Sequence, residues 1–155
     1  MTDKLKPILG FIFITFAVGF AAAYYSIPDA WYQNLNKAPF NPPSYVFGPA
    51  WTFLYVLIGI AGGYVYSSSK SDVAAKLAMK LWWAQLVLNG AWSLLFFTAK
   101  LPLLALIDIS ILIIVIAMFI KTTSKNMRPA MWCFVPYLAW VGFATLLNAS
   151  IVWLN

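Results

Sequence analysis

The chain is poor in the side chains that do ordinary acid–base or metal chemistry. Among 155 residues there is no histidine, one cysteine and four acidic residues, Asp3, Asp29, Asp72 and Asp108. The commonest metal ligand and the commonest general base are therefore missing. Cys133 alone can form neither an internal disulfide nor a thiolate cluster. What remains is a small set of amides, one carboxyl and many aromatic rings, all embedded in apolar sequence. Gln85, Asn89, Asp108 and Asn148 are the polar members, and Trp51, Tyr55, Trp92 and Trp140 the principal rings. Groups of this kind suit binding: rings stack on a large flat apolar body while a few amides orient its polar edge. No metal site is expected.

The spacing of these residues places them on helix faces. Trp51 and Tyr55 are at i and i+4. Gln85, Asn89, Trp92 and Phe96 follow i, i+4, i+7, i+11, as do Tyr137, Trp140, Ala144 and Asn148 at i, i+3, i+7, i+11. Each set forms one stripe on one helix.

Composition identifies those helices as membrane spans. Hydrophobic residues make up 63% of the chain and charged residues 9%, against roughly 25% charged in a soluble domain. Mean hydropathy is +0.83. Five apolar runs are long enough to cross a bilayer, at about residues 7–25, 46–66, 74–97, 101–120 and 129–154, where a spanning helix needs about 20 residues. The runs are continuous rather than alternating, which favours helices over a barrel. The expected fold is a single all-α transmembrane domain of five helices in a compact bundle. The breakers agree: Pro28 follows the first run, Ser67, Ser68 and Ser69 end the second, and Pro102 and Pro129 open the last two. Lys4 and Lys6 precede the first run, but Tyr24 and Tyr25 follow Ala21, Ala22 and Ala23 where a cleaved leader would need a polar mature start, so none is expected.

The net charge of +6 follows the same topology. Lys4, Lys6, Lys70, Lys76, Lys80, Lys121, Lys125 and Arg128 fall on one side, and Lys37 and Lys100 on the other. An 8:2 division of the ten basic residues predicts the N-terminus inside and the C-terminus outside. It removes any need for a nucleic-acid partner. In a bacterial cell membrane the first connection would then lie on the outer face.

That connection, the lid loop at about residues 26–45, is the least helical part of the chain. Residues 31–51 hold four of the nine prolines and two of the eight tryptophans. A short helix is expected after Pro28, with Asp29 complementing its dipole, and extended chain from Lys37 to Pro49. Counting down from the outer helix ends puts Asn89 about 12 Å deep, Asp108 roughly 10 Å and Asn148 roughly 9 Å, at 1.5 Å per residue. The three are expected at one level beneath the loop. Intramembrane polar groups are functional candidates, yet Asp108 and Asn148 fit interhelical hydrogen bonding equally well. Trp31, Trp82, Trp83, Trp132 and Trp153 read as interface anchors. Gly59 and Gly63 form a G-x-x-x-G that suits either a dimer face or close packing within the bundle.

The ordered motifs resemble the tryptophan-rich sensory protein family, which includes the mitochondrial translocator protein (the peripheral benzodiazepine receptor). The resemblance rests on Trp31-Tyr32-x-x-Leu35-x-Lys37-x-Pro39-Phe40-x-Pro42-Pro43 and Phe47-Gly48-Pro49-x-Trp51-x-x-Leu54-Tyr55. It continues through Gln85-Leu86-x-Leu88-Asn89-x-x-Trp92-Ser93 and Pro136-Tyr137-Leu138-Ala139-Trp140-x-x-Phe143-Ala144-Thr145-x-Leu147-Asn148. It covers nearly the whole chain.

The resemblance implies a five-helix bundle, usually a homodimer, with a ligand pocket closed by the first connection. It implies tetrapyrroles such as protoporphyrin IX and haem, and benzodiazepine-site compounds, as ligands, with no obligatory cofactor. Carried over by position, the pocket residues are Tyr32, Pro42, Trp51, Asn89, Trp92, Ser93, Trp140 and Ala144. The stripes and the depth count add Tyr55, Gln85, Asp108 and Asn148. Some bacterial relatives are implicated in light- and oxygen-dependent porphyrin breakdown; Trp51 and Trp140 would be the reacting side chains in that alternative. Leu104 stands where mitochondrial members often have tryptophan. No basic residue follows Arg128, so the sterol-recognition pattern of the last helix is absent.

Overall fold

The computed structural model describes residues 2–25, 27, 29–68 and 73–155. Pro28, Ser69, Lys70 and Asp72, and the side chains of Asp3, Lys4 and Tyr25, lie outside the described residues. Six α-helices follow one another: α1 (Thr2–Tyr25), α2 (Ala30–Asn34), α3 (Phe47–Ser68), α4 (Val73–Ser93), α5 (Pro102–Thr123) and α6 (Arg128–Leu154). A 3-10 turn at Ser44–Val46 leads into α3, and a π-helical turn at Leu94–Thr98 extends α4. The five long helices form the expected bundle; α2 is the short helix of the first connection.

Among the described residues four segments are apolar and long enough to cross a membrane: Leu5–Tyr24, Ser44–Ser68, Pro102–Thr123 and Arg128–Leu154. α4 is the exception in composition, since Lys76, Lys80, Gln85 and Asn89 interrupt it. It is central all the same, packed on α5, α1 and α3. Outward-facing residues are large and apolar, with Phe13 74%, Val87 69% and Ile114 58% exposed, as lipid contact requires.

The closest packing is between α1 and α3. A Cβ built on Gly59 would lie 2.5 Å from Ile12 Cα, and one on Gly63 would overlap the Ile8 backbone. The two glycines of the G-x-x-x-G therefore serve contact within the bundle: only a residue without Cβ lets the two backbones meet. Thr15 reinforces the seam, its hydroxyl 3.0 Å from the Tyr55 carbonyl and 2.8 Å from that of Ile12.

Trp82 belongs to this tight region and is no interface anchor. It is fully buried, its ring edge-on to Phe11 at 4.8 Å, and its N–H donates to the Ile58 carbonyl at 2.8 Å. Close approach at Gly62 admits the indole. Trp31 is half-buried beside Phe96, 6.0 Å between centroids. Trp83, Trp132 and Trp153 do face outward.

The first connection is tied down at two places. Asp29 caps α2, accepting the Tyr32 N–H at 3.1 Å, and pairs with Lys100 at 2.7 Å. Lys100 reaches it from a left-handed backbone conformation, φ 57°, between the π-helical turn and α5. Just past α2, Asn36 and Asn155 exchange hydrogen bonds of 2.9 and 3.1 Å. The segment carrying α2 is thus held at both of its ends, and the proline-rich chain starts from the second tie.

Candidate functional site

Beneath the connection lies a cavity of about 1020 Å³, at the upper end of the roughly 300–1,000 Å³ usual for small-molecule sites. Its roof is the connection itself: Tyr32 on α2, then Lys37, Asn41, Pro42, Pro43 and Ser44. Phe16, Gly19 and Phe20 of α1 form one wall, and Phe47, Trp51 and Tyr55 of α3 the next. Trp92 and Ser93 at the end of α4, with Phe96 and Phe97 of the π-helical turn, face them. Ala144, Leu147, Asn148 and Ile151 of α6 complete it.

The rings are packed in register rather than scattered. Trp51 stacks on Tyr55 at 5.5 Å, and Trp92 on Phe96 at 5.4 Å. Tyr32 meets Phe97 at 5.3 Å and Phe96 at 6.1 Å, joining roof to wall. The π-helical turn makes this possible. Its extra residue per turn widens the helix, so that Phe96 turns inward and Phe97 turns toward Tyr32; Ala99 N–H closes the turn on the Leu94 carbonyl at 2.8 Å. Turns of this kind recur at functional sites.

Of the residues singled out in the sequence, Tyr32, Pro42, Trp51, Tyr55, Trp92, Ser93, Ala144 and Asn148 line the cavity. Gln85, Asn89, Asp108 and Trp140 do not. Asn89 stands behind the wall, where its Oδ1 accepts from the Tyr55 hydroxyl at 3.3 Å and its Nδ2 donates to the Tyr137 hydroxyl at 3.0 Å. Gln85 is one turn deeper and fully buried, donating to the Trp82 carbonyl at 2.9 Å. Trp140 backs Trp51, their centroids 6.4 Å apart, and packs on Phe47 at 6.0 Å. Asp108 is buried on α5, within electrostatic reach of Tyr137. Among the described residues Gln85 Oε1, Asp108 Oδ2 and Trp140 Nε1 have no hydrogen-bond partner.

The expected single polar level resolves into two. Asn148 accepts from the Trp92 indole at 3.1 Å and donates to the Pro102 carbonyl at 2.8 Å. It is thus level with the start of α5, six residues or about 9 Å above Asp108. Counting from helix ends assumed that the ends were flush. In fact α6 runs on past the start of α5 to meet Asn36. Asn148 is both wall and tie, whereas Asn89 and Asp108 belong to the layer below.

Sequence reasoning missed the contribution of α1 and of Lys37. α1 carries no polar residue among its cavity-facing positions, so nothing flagged Phe16, Gly19 or Phe20. Lys37 was visible as one of two basic residues outside the basic side, and its place in the roof follows from the bend after α2.

Comparison with known proteins agrees with this architecture. A profile of the TspO/MBR family matches residues 11–154. The tryptophan-rich protein TspO of Chlorobaculum tepidum is 37% identical over 157 residues, covering 100% of this chain and 99% of its own. The tryptophan-rich sensory protein of Cereibacter sphaeroides is 37% identical over 128 residues, 83% of this chain and 78% of its own. The translocator protein of Bos taurus is 32% identical over 152 residues, 96% of this chain and 89% of its own. With its apolar helices and these relatives, the chain is an integral membrane protein that belongs to the TspO/MBR family.

Proposed function

We propose that this membrane sensor or translocator binds tetrapyrroles, protoporphyrin IX and haem among them, and benzodiazepine-site ligands in the cavity under the first connection. The observation that carries the reading is the cavity itself: large, walled by stacked rings from three helices, and roofed by a tethered connection. Trp51 and Trp92 offer ring faces to a flat macrocycle, while Ser93 supplies a polar contact at its edge and Asn148 holds the Trp92 indole. No histidine is present to ligate iron, so metal-free protoporphyrin binds at least as tightly as haem. The charge division supports an N-terminus inside and the roof outside, in what we take to be a bacterial cell membrane. A homodimer completes the reading.

A titration of the purified protein with protoporphyrin IX tests it. Trp51→Ala is expected to weaken binding about tenfold, the loss of one stacked aromatic contact, while Trp132→Ala, facing lipid, leaves it unchanged. Equal affinity in all three proteins would remove the cavity from the account.

Porphyrin breakdown is the second reading. Trp51 in the wall, with Trp140 behind it at 6.4 Å, places two oxidisable rings in line from the cavity into the bundle. Illumination of the protoporphyrin complex in air should then bleach the porphyrin absorption, and Trp51→Phe should slow the bleaching. A stable spectrum leaves binding alone.

A further inference from the structure

We propose that Lys37 selects ligands carrying a carboxylate and seats that carboxylate under the roof. The inference rests on the tetrapyrrole reading of the cavity and names the ligand chemistry it favours: a flat apolar body with an acidic edge. Among the described residues lining the cavity, Lys37 is the only one with a charged side chain, and no carboxylate lines it. The cavity is therefore apolar with one cation at its mouth.

Three observations hold that cation in place. The ammonium donates to the Gln33 carbonyl at 3.2 Å and to the Leu35 carbonyl at 3.1 Å. It sits over the Tyr32 ring, 4.7 Å from its centroid, where the ring quadrupole favours a positive charge. The side chain as a whole is half-buried in the cavity lining. These contacts use two of the three N–H donors of an ammonium; the third is available to an incoming acceptor.

Among the described residues the charge has no carboxylate paired with it. Asp29, the acidic residue of the first connection, is engaged by Lys100 at 2.7 Å. Two carbonyls and a ring face orient Lys37 but do not neutralise it. A carboxylate entering the cavity mouth would form a charge-assisted hydrogen bond in partly desolvated surroundings, stronger than a neutral one. A cationic ligand would meet repulsion at the same point. The competing account is that Lys37 only satisfies the carbonyls that end α2, which predicts a stability effect with no dependence on ligand charge.

Protoporphyrin IX and its dimethyl ester separate the accounts, because they share the macrocycle and differ in charge. Both are titrated into wild type, Lys37→Met and Lys37→Arg in phosphatidylcholine nanodiscs, where no anionic lipid competes. Lys37→Met should weaken the free acid about three- to fivefold, the upper part of the range of one partly screened ion pair, and leave the ester unchanged. Lys37→Arg keeps the charge and should restore most of the preference. Melting curves of the three proteins show that the fold persists. Equal losses for acid and ester, or none for either, overturn the assignment of Lys37 while leaving the cavity reading intact. Wild type that binds neither porphyrin defeats the tetrapyrrole reading on which it rests.

Discussion

Trp82 and Trp51 sit on neighbouring helices and are put to opposite uses. Trp82 is fully enclosed, its N–H satisfied by Ile58 and its ring pressed against Gly62. Trp51 is half-buried, stacked on Tyr55 and facing a void of about 1020 Å³. Around Trp82 the helices approach until backbones touch, at Gly59 and Gly63, while Gly62 makes room for the Phe11 and Trp82 rings. Around Trp51 they are held apart by rings and bridged by a tethered connection. The bundle is thus a closed end that supplies stability and a hollow end that keeps an open volume. The hollow can persist because the closed end fixes the helix directions.

The largest effect should come from filling the closed end. Gly59→Leu drives a side chain into the backbone of α1, 2.5 Å away at Ile12 Cα. Overpacking against backbone cannot relax by a rotamer change, so a loss of about 3 kcal/mol or more is expected. Gly48→Ala is the counterpart at the hollow end, where nothing lies within 4 Å of the added Cβ; thermal unfolding in detergent should show a change below about 0.5 kcal/mol. Equal melting temperatures for the two variants would refute the contrast.

Truncating the two tryptophans sharpens it. Trp82→Ala leaves a cavity and removes the indole bond to the Ile58 carbonyl, at a cost of about 3–5 kcal/mol. Trp51→Ala extends a cavity that already exists, so the cost should stay under about 2 kcal/mol. Denaturation midpoints of the two variants, each against wild type, check the order; Trp51→Ala as the more destabilised protein would reverse it.

How much of this the sequence carried depends on the kind of feature. The apolar runs, the short helix in the first connection and the stripes on α3, α4 and α6 were legible because each follows from local periodicity. So were Trp51, Tyr55, Trp92, Ala144 and Asn148 as cavity residues. Relative heights were not. Nothing local says that α6 outruns the start of α5, and so Asn148 and Asp108 were assigned one level. The π-helical turn at Leu94–Thr98 left no mark in a continuous apolar run. Trp82 and Trp83 look alike in sequence, yet only the one facing Gly62 is buried. The two readings of Gly59 and Gly63 could be separated only by what lies opposite, which turned out to be α1.

The smallest effect concerns what holds the hollow end shut. Asp29 is exposed, and its carboxyl is held below the usual carboxylate range first by Lys100 and then by the Tyr32 N–H. A carboxyl whose folded-state value is depressed contributes stability above its unfolded value, near 4, and loses it as pH falls through the lower folded value. The tie between α2 and the α4–α5 turn is therefore complete at neutral pH and released as pH falls below the ordinary carboxylate range. With four acidic residues in the chain, all aspartate, carboxyl-labelled aspartate gives four resonances to follow. The Asp29 signal should titrate below the ordinary value in wild type and move up in Lys100→Gln. Since Lys100 also lies 5.8 Å from the Trp31 ring, acid should perturb Trp31 in step with that signal while the Trp82 environment stays fixed. Release of the roof with no response at the closed end is what two independently held ends require; a concerted change at Trp82 would mean that they are one.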